Sequence, residues 1–372
     1  MGPNEASRDR TKTGPLTETT TQRPSTMILS VLKSTNRLNN ALIVALALWC
    51  AAVPAAAEKK PKDQLVKPMA GPRATPLRVT ILYVSPDTTS QKVDRVQIGR
   101  EMVVSEKNGD WLRVYANTDI EELQDKDAPE FGHNDIPPPI SGWMQAKGVV
   151  IETNPNGDQI LMGEAANQEA LAEDPKGPVS APQNARLLYR RLAEMYPSSP
   201  MVPEAAWRSA DIQWQIQRHD AASRPSAHEK EAYMRGLMEE DELRKVIKTY
   251  PKTRQAALAA YLLIDNKLCG DWQGTEKCPE NEVEVYEKYA VEFPDGPRTA
   301  QALYQVVFRE ASLVDMYAAG GNQKKADQAK AHAKDITERL KEKFPQTDSC
   351  WKAGALVYKL DEGIPVYGID LR

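Results

Sequence analysis

The sequence predicts a multidomain protein, β then α, in which a small β-barrel is followed by a solenoid of α-helical hairpins. Residues 76–152 hold short segments in which apolar and polar residues alternate, the pattern of half-buried strands. In residues 184–362, a helical block that ends in an aromatic residue and a proline occurs four times. A helical block that recurs along a chain is typical of stacked helical hairpins.

Composition and charge restrict the classes of function. The chain has 372 residues, 41% of them hydrophobic and 27% charged, which is enough to fill more than one hydrophobic core. Its formal net charge is −4, and no cluster of lysine or arginine offers a surface for phosphate groups. We therefore expect no nucleic-acid partner.

The N-terminal region has the pattern of a targeting segment. The apolar run 41–53 is too short to span a bilayer comfortably, and it follows Lys33 and Arg37 and precedes the small residues Ala55 and Ala57. This order is typical of a secretory signal peptide. We expect a signal peptide over 27–57, cleavage after Ala57, and a periplasmic or otherwise exported envelope location.

Two questions about this region stay open. Residues 1–26 are either an unstructured segment or an untranslated stretch before a start at Met27. Cys50 ends the apolar run and is a candidate for lipid attachment, although Trp49 is larger than the residue that usually precedes such a cysteine. Membrane association is expected only through such a lipid or through a complex. Residues 58–75 are rich in lysine and proline, which predicts a flexible linker.

Residues 76–152 predict a β module. Strand patterns cover 77–81, 92–96, 102–104, 111–115 and 142–146, and a turn over 107–110 joins two of them. A small, partly open barrel is the natural closure for so many short strands. The segment 117–140 is an insertion, with an acidic first half and the proline run 137–139.

The β module resembles a bacterial SH3 domain. Gly99, Trp111, Val114, Gly142 and Trp143 stand at the glycine, tryptophan and apolar positions of that family. The usual Val-Arg pair after the first strand is replaced by Val-Ser at positions 84 and 85. The resemblance implies an SH3-like barrel, and members of the family bind cell-wall peptides or serve as spacers.

Three aromatic residues of the β module are candidates for ligand binding: Tyr83, Tyr115 and Trp143. Core packing is the simpler explanation for Trp143, as it is for Trp111. The resemblance implies peptidoglycan as the ligand of this module.

Residues 184–362 predict a helical repeat. Each block ends at an aromatic-proline step, since proline lacks an N–H donor and disfavours helical geometry in the preceding residue. Eight to ten residues later, most blocks have small residues followed by an aromatic one. We expect these positions in the packing between helices: Tyr196, Pro197, Trp207, Tyr250, Pro251, Tyr261, Phe293, Pro294, Tyr304, Phe344 and Pro345.

The repeat is similar to the tetratricopeptide (TPR) hairpins of periplasmic and outer-membrane-associated proteins. The resemblance implies a solenoid whose groove binds an extended peptide or a helix of a protein partner. Residues 153–183 are expected to be a second linker with a short helix near 164–173. The tail 363–372 is expected to cap the last repeat or to pair with a strand of a partner.

The cysteines predict one short disulfide. Cys269 and Cys278 flank a loop with two glycines and can pair in an oxidising compartment. Cys350 is then an odd thiol, either buried or available for an intermolecular bond. Zinc-site spacing is absent from the sequence, and we expect no metal or other cofactor.

The sequence lacks the motifs of common catalytic sites, including a nucleophile elbow and a phosphate-binding glycine loop. We therefore expect a non-enzymatic cell-envelope adaptor, with the SH3-like module binding cell-wall material and the TPR-like array binding a protein. The alternative is a structural component of an outer-membrane assembly or secretion complex, in which the SH3-like module is a spacer.

Overall fold

The computed structural model describes residues 70–119 and 139–367. Within these ranges, an antiparallel sheet over 73–151 is followed by a helical region. The expected signal peptide, Cys50, most of the linker 58–75, most of the insertion and the last five residues of the tail lie outside the described residues.

The sheet contains seven strands in the described residues: β1 (Arg73–Pro76), β2 (Thr80–Tyr83), β3 (Lys92–Val96), β4 (Met102–Asn108), β5 (Trp111–Ala116), β6 (Ile140–Gln145) and β7 (Val149–Ile151). Their order is β3-β2-β6-β5-β4-β1-β7, and each neighbouring pair is antiparallel. Alternate residues of these strands point to opposite faces. One face buries Leu82, Leu112, Val114 and Met144 in a common core.

The sequence predicts a small, partly open barrel, and the sheet that the described residues form is not closed into a barrel. In the part of the chain that the structure describes, β3 and β7 are the two ends of the sheet and do not pair with each other. Residues 92–95 of β3 are exposed and mostly charged. At the other end, Val150 of β7 is buried against Leu161 and Leu188 from the helical region. Because helices cover β7 and charged side chains keep β3 in water, the two edges stay apart.

Nine α-helices follow in the described residues: α1 (Gly157–Glu173), α2 (Ala181–Met195), α3 (Val202–Ala222), α4 (Asp241–Thr249), α5 (Arg254–Leu262), α6 (Lys277–Glu292), α7 (Thr299–Ala319), α8 (Gln323–Lys343) and α9 (Asp348–Asp361). Short 3₁₀ turns occur at Pro225–His228, Ala232–Met234 and Asp265–Lys267. Helices that are consecutive in the chain pack on each other as hairpins, as α2 does on α3 and α6 on α7.

The segment expected as a second linker, 153–183, is instead part of the helical array. It contains α1, which spans 17 residues and buries Leu161 and Ala165 against α2. A Cβ atom at Gly157 would lie 1.8 Å from the hydroxyl oxygen of Tyr196. A larger residue at this position would displace the Tyr196 ring, whose hydroxyl donates to the carbonyl of Ile151.

Four of the described helices, α2, α4, α6 and α8, end with the same backbone geometry. Their last turn is followed by Tyr196, Tyr250, Phe293 and Phe344, with φ from −122° to −130° and ψ from 46° to 67°. Each aromatic N–H donates to the carbonyl four residues earlier, and each aromatic carbonyl accepts from the N–H three residues later. A proline follows each aromatic residue. We call these four positions the aromatic-proline corners.

A buried polar junction joins the sheet to the first hairpin. Arg191 of α2, with a side chain 1% exposed, donates to Asp119 Oδ2 at 2.7 Å and to the carbonyl of Gly99 at 3.1 Å. Asp119 also accepts from Arg100 Nε at 2.9 Å. Gly99 has φ +77°, and a Cβ atom there would lie 2.6 Å from Leu187 Cβ. The start of the insertion is therefore anchored between sheet and helices.

Candidate functional site

The outer face of the sheet carries a group of aromatic side chains. Tyr83 on β2 lies directly opposite Trp143 on β6, and Trp143 lies opposite Arg113 on β5. These residues alternate with the core residues of their strands, so their side chains share the face that points away from the core. All of them are at least partly exposed.

Trp111 completes this group, which corrects the expectation that it packs in the core. Its ring meets that of Tyr83 edge to face, with centroids 5.8 Å apart and planes at 83°. The alternation of β5 already contains the signal, because Trp111 shares its side of the strand with Arg113 and Tyr115, while Leu112 and Val114 are buried. We call Tyr83, Trp111 and Trp143 the aromatic face.

Tyr115 lies on the same side of the sheet but one row away. It is opposite Ser141, two residues along β6 from Trp143. Arg113 lies on this side of the sheet between Trp111 and Tyr115 on β5 and opposite Trp143 on β6, so a guanidinium stands among the four aromatic residues. Such rings offer large apolar contact area at a low cost in side-chain entropy, and they also carry N–H and O–H donors.

The helical array presents a second candidate surface. We define α2, α4, α6 and α8 as the first helices of the hairpins and α3, α5, α7 and α9 as the second helices. Cavities of about 260, 470 and 330 Å³ lie between consecutive first helices: between α2 and α4, between α4 and α6, and between α6 and α8. The floor of each cavity is formed by the second helix that separates the two first helices, or by the turn after that second helix.

These cavities are lined by charged groups of both signs. The charged residues are Arg190, Glu194, Glu242 and Lys245 in the first, Arg244, Lys267, Glu284, Lys288 and Glu292 in the second, and Glu280, Glu284, Glu310, Lys325 and His332 in the third. The repeated position between first helices makes the three cavities suitable subsites for one extended peptide.

His332 of α8 links three helices at the third cavity. Its Nδ1 lies 2.8 Å from Glu310 of α7 and its Nε2 lies 3.0 Å from Glu287 of α6. The hydrogen bond with Glu310 raises the pKa of His332, and the charge of Glu287 acts in the same direction. At the edge of this cavity, a hydrogen bond from Tyr317 lowers the pKa of Glu280.

The aromatic residues of the repeat lie between helices. Tyr250 packs on two apolar clusters, one that includes Leu192 and one that includes Val246, and Trp207 packs on the second of them. Tyr261 lies within 5.3 Å of Tyr289 between ring centroids, while Tyr304 and Phe344 pack on the largest cluster. The desolvated ring of Tyr289 has its pKa raised to about 12. The hydroxyl of Tyr196 donates to the carbonyl of Ile151 at 2.8 Å, which fastens the first corner to β7.

Cys269 and Cys278 form a disulfide, and Cys350 is buried. The loop that the disulfide closes also holds the tail. Trp272 of this loop stacks on Tyr367, whose hydroxyl accepts from the N–H of Gly274 at 2.9 Å. The tail therefore packs on the disulfide loop and α7, within the described residues.

No group of three or more histidine, cysteine, aspartate or glutamate side chains in 70–119 and 139–367 is placed to hold a metal ion. No helix in these ranges is both long enough and apolar enough to cross a membrane.

No protein-family model and no curated protein matches this chain. Among solved structures, it is similar to a de novo designed helical repeat protein, DHR64, with 16% identity over 56% of this chain and 94% of that one, at a TM-score of 0.22. It is also similar to the DHF79 filament, with 16% identity over 54% of this chain and 99% of that one, at a TM-score of 0.20. With TM-scores this low, the likenesses carry no structural argument.

Proposed function

We propose that this chain is a non-enzymatic adaptor of the cell envelope whose sheet binds cell-wall material. The observation that carries the proposal is the aromatic face, in which Tyr83, Trp111 and Trp143 lie together and partly exposed on the outer side of the sheet. A cluster of three partly exposed aromatic rings has no role in the sheet core. The resemblance of residues 76–152 to bacterial SH3 modules supports peptidoglycan as the ligand.

The helical array supplies the second half of the proposed function. Its TPR-like hairpins place one cavity between each pair of consecutive first helices. An extended segment of a protein partner fills these cavities in turn, with side chains of alternating charge opposite the mixed charges that line them. The adaptor then holds a protein partner near the wall. Export by the signal peptide 27–57 brings the chain to its ligand.

The wall-binding half is tested by sedimentation of the full chain with purified peptidoglycan sacculi. We expect retention that falls about tenfold or more in the double variant Tyr83→Ala and Trp143→Ala, because aromatic residues dominate such interfaces. Tyr233→Ala is the matched control, since Tyr233 is 78% exposed but lies in the helical region. Absence of retention, or equal retention of all three proteins, contradicts wall binding by this face.

A second candidate function is a structural role in an outer-membrane assembly or secretion complex, with the sheet as a spacer. The exposed aromatic residues Trp351 and Tyr358 of the last helix favour it, because they offer a surface for stable protein association. In this case the chain co-purifies with a membrane complex from its native envelope and is not retained by sacculi.

A further inference from the structure

The last hairpin leaves exposed a position that the other hairpins bury. Thirteen residues after the corner proline, the first three hairpins have Ala210 in α3, Ile264 just after α5 and Val307 in α7, which are 3%, 3% and 0% exposed. The corresponding residue of α9 is Tyr358, which is 62% exposed. A large aromatic ring therefore occupies, in water, the position that joins one hairpin to the next.

Tyr358 is part of a continuous stripe on α9. Trp351, 60% exposed, and Ala355 precede it by seven and three residues, and this spacing places all three on one face of the helix. The described part of the tail does not cover this face, because Val366 and Tyr367 donate their N–H groups to Asp315 of α7. Within residues 70–119 and 139–367, the stripe is an apolar face that no other segment covers.

The preceding hairpins indicate what such a face binds. Ile264 and Tyr261, which lie at the same positions after their corner, pack against Tyr286 and Tyr289 of the next first helix. That helix, α6, is amphipathic, and its apolar residues recur every three or four positions. An amphipathic helix is therefore the type of partner that fits the stripe of α9.

A charged residue beside the stripe indicates which charge the partner helix carries. Lys352 follows Trp351 directly and is exposed, and it forms no ion pair within the described residues. A helix that packs on the stripe is therefore favoured if it carries a carboxylate that faces Lys352.

We propose that the outer face of α9, formed by Trp351, Ala355 and Tyr358 beside Lys352, binds an amphipathic α-helix of another protein with carboxylates next to its apolar stripe. This interaction uses neither the aromatic face nor the cavities between first helices, and it specifies the kind of partner for the surface on which the second candidate function rests. It continues the stacking of the array with a helix supplied by the partner.

A peptide taken from α6 is a suitable probe. Residues 279–293 contain five glutamates and one lysine and lack cysteine, and this segment supplies the helix that covers the equivalent face of the second hairpin. A lactam bond between Glu284 and Lys288, four residues apart on the opposite side of the helix, keeps the peptide helical. Its binding to the full chain is measured by fluorescence anisotropy of a labelled peptide.

We expect the chain to bind this probe. The double variant Trp351→Ala and Tyr358→Ala weakens binding about tenfold or more, Lys352→Glu weakens it through charge repulsion, and Tyr233→Ala leaves it unchanged. Far-ultraviolet circular dichroism verifies that each variant is folded. A probe in which Tyr286 is replaced by glutamate does not bind.

Three results would overturn the proposal. The first is that the chain does not bind the probe, and the second is that the double variant binds it as tightly as the unmodified chain. The third is a dimer, detected by light scattering and dissociated by Tyr358→Glu, in a chain that does not bind the probe; this result would assign the face to a second copy.

Discussion

Glu282 on α6 and Arg309 on α7 form a buried ion pair, with 2.7 Å between Oε2 and Nε and with both side chains at most 7% exposed. The other carboxylate oxygen accepts from the N–H of Cys269 at 2.8 Å and from Trp272 Nε1 at 3.2 Å. The Arg309 guanidinium lies 4.5 Å from the ring centroid of Tyr286. One carboxylate thus ties two helices to the disulfide loop.

Removal of this carboxylate is expected to be strongly destabilising. Glu282→Ala leaves a buried guanidinium without its partner, and the free energy of unfolding falls by about 3–5 kcal/mol, measured by urea denaturation. Lys325→Ala is the control, because its ion pair with Glu280 has both side chains well exposed and contributes about 1 kcal/mol or less. A loss of similar size in both variants would contradict the role of the buried pair.

The polar junction predicts that the sheet depends on the first hairpin. Asp119→Ala removes the acceptor shared by Arg191 and Arg100, and it lowers the free energy of unfolding by about 3 kcal/mol or more. In this variant, hydrogen exchange of the β1 and β7 amides becomes faster than in the unmodified chain, while exchange of the α7 amides changes less. Asp94→Ala on the exposed strand β3 is the control, with a change within about 0.5 kcal/mol. Unchanged exchange in β1 and β7 would disprove the coupling.

His332 predicts a pH dependence of stability. The pKa of its imidazole is raised above the ordinary value of 6.5 by the hydrogen bond with Glu310. The resulting stabilisation is fully present below that ordinary value and is lost as the pH rises through the raised pKa of the folded chain.

This dependence is measured by urea denaturation between about pH 6 and pH 9. His332→Gln keeps a hydrogen-bonding side chain but does not titrate, so the decline in stability over this range becomes smaller by about 1 kcal/mol or less, because His332 is partly exposed. Identical pH profiles of the two proteins would refute the assignment.

The disulfide predicts a redox-dependent stability. It closes a loop between positions 269 and 278, and the chain-entropy estimate for a loop of this length is about 2.5 kcal/mol. The double variant Cys269→Ser and Cys278→Ser is therefore expected to melt at a lower temperature than the oxidised chain. A reducing agent lowers the melting temperature of the unmodified chain and leaves that of the variant unchanged. An equal response of both proteins excludes the disulfide as the cause.

The helix ends were predictable because they depend on local chemistry. Proline at 197, 251, 294 and 345 cannot donate an N–H, and its ring restricts the residue before it. Each of the four first helices ends one residue before the aromatic residue that precedes its proline. The division into a sheet and a helical region was also predictable from local sequence. Apolar residues recur every two positions in a strand and about every 3.6 positions in a helix, and a short window distinguishes the two patterns.

The path of the sheet and the first helix were harder to predict. Closure of a barrel depends on what covers each edge, and the helix packing on Val150 cannot be seen in the strand pattern. In α1, Leu161 and Ala165 are the buried apolar residues, and the segments on both sides of the helix are rich in turn residues, so the region resembles a linker in sequence.

Long-range polar contacts were not predictable from the sequence. Asp119 lies in a segment expected to be a loop, and its partner Arg191 is 72 residues away. Neither residue has a neighbouring motif that would indicate burial. Trp111 is different, because the alternation of β5 did place it with Arg113 and Tyr115, and the competing expectation that tryptophan fills the core was wrong.

The aromatic-proline corners have a consequence for how this chain can change over evolutionary time. All four corners share one backbone geometry and one pattern of hydrogen bonds. A recombination that joins the segment before one corner to the segment after another therefore keeps the same turn between the two helices. Gene segments bounded by the proline codons are therefore natural units of duplication and loss. The array can lengthen or shorten by whole hairpins while the sheet and its junction at Asp119 stay the same.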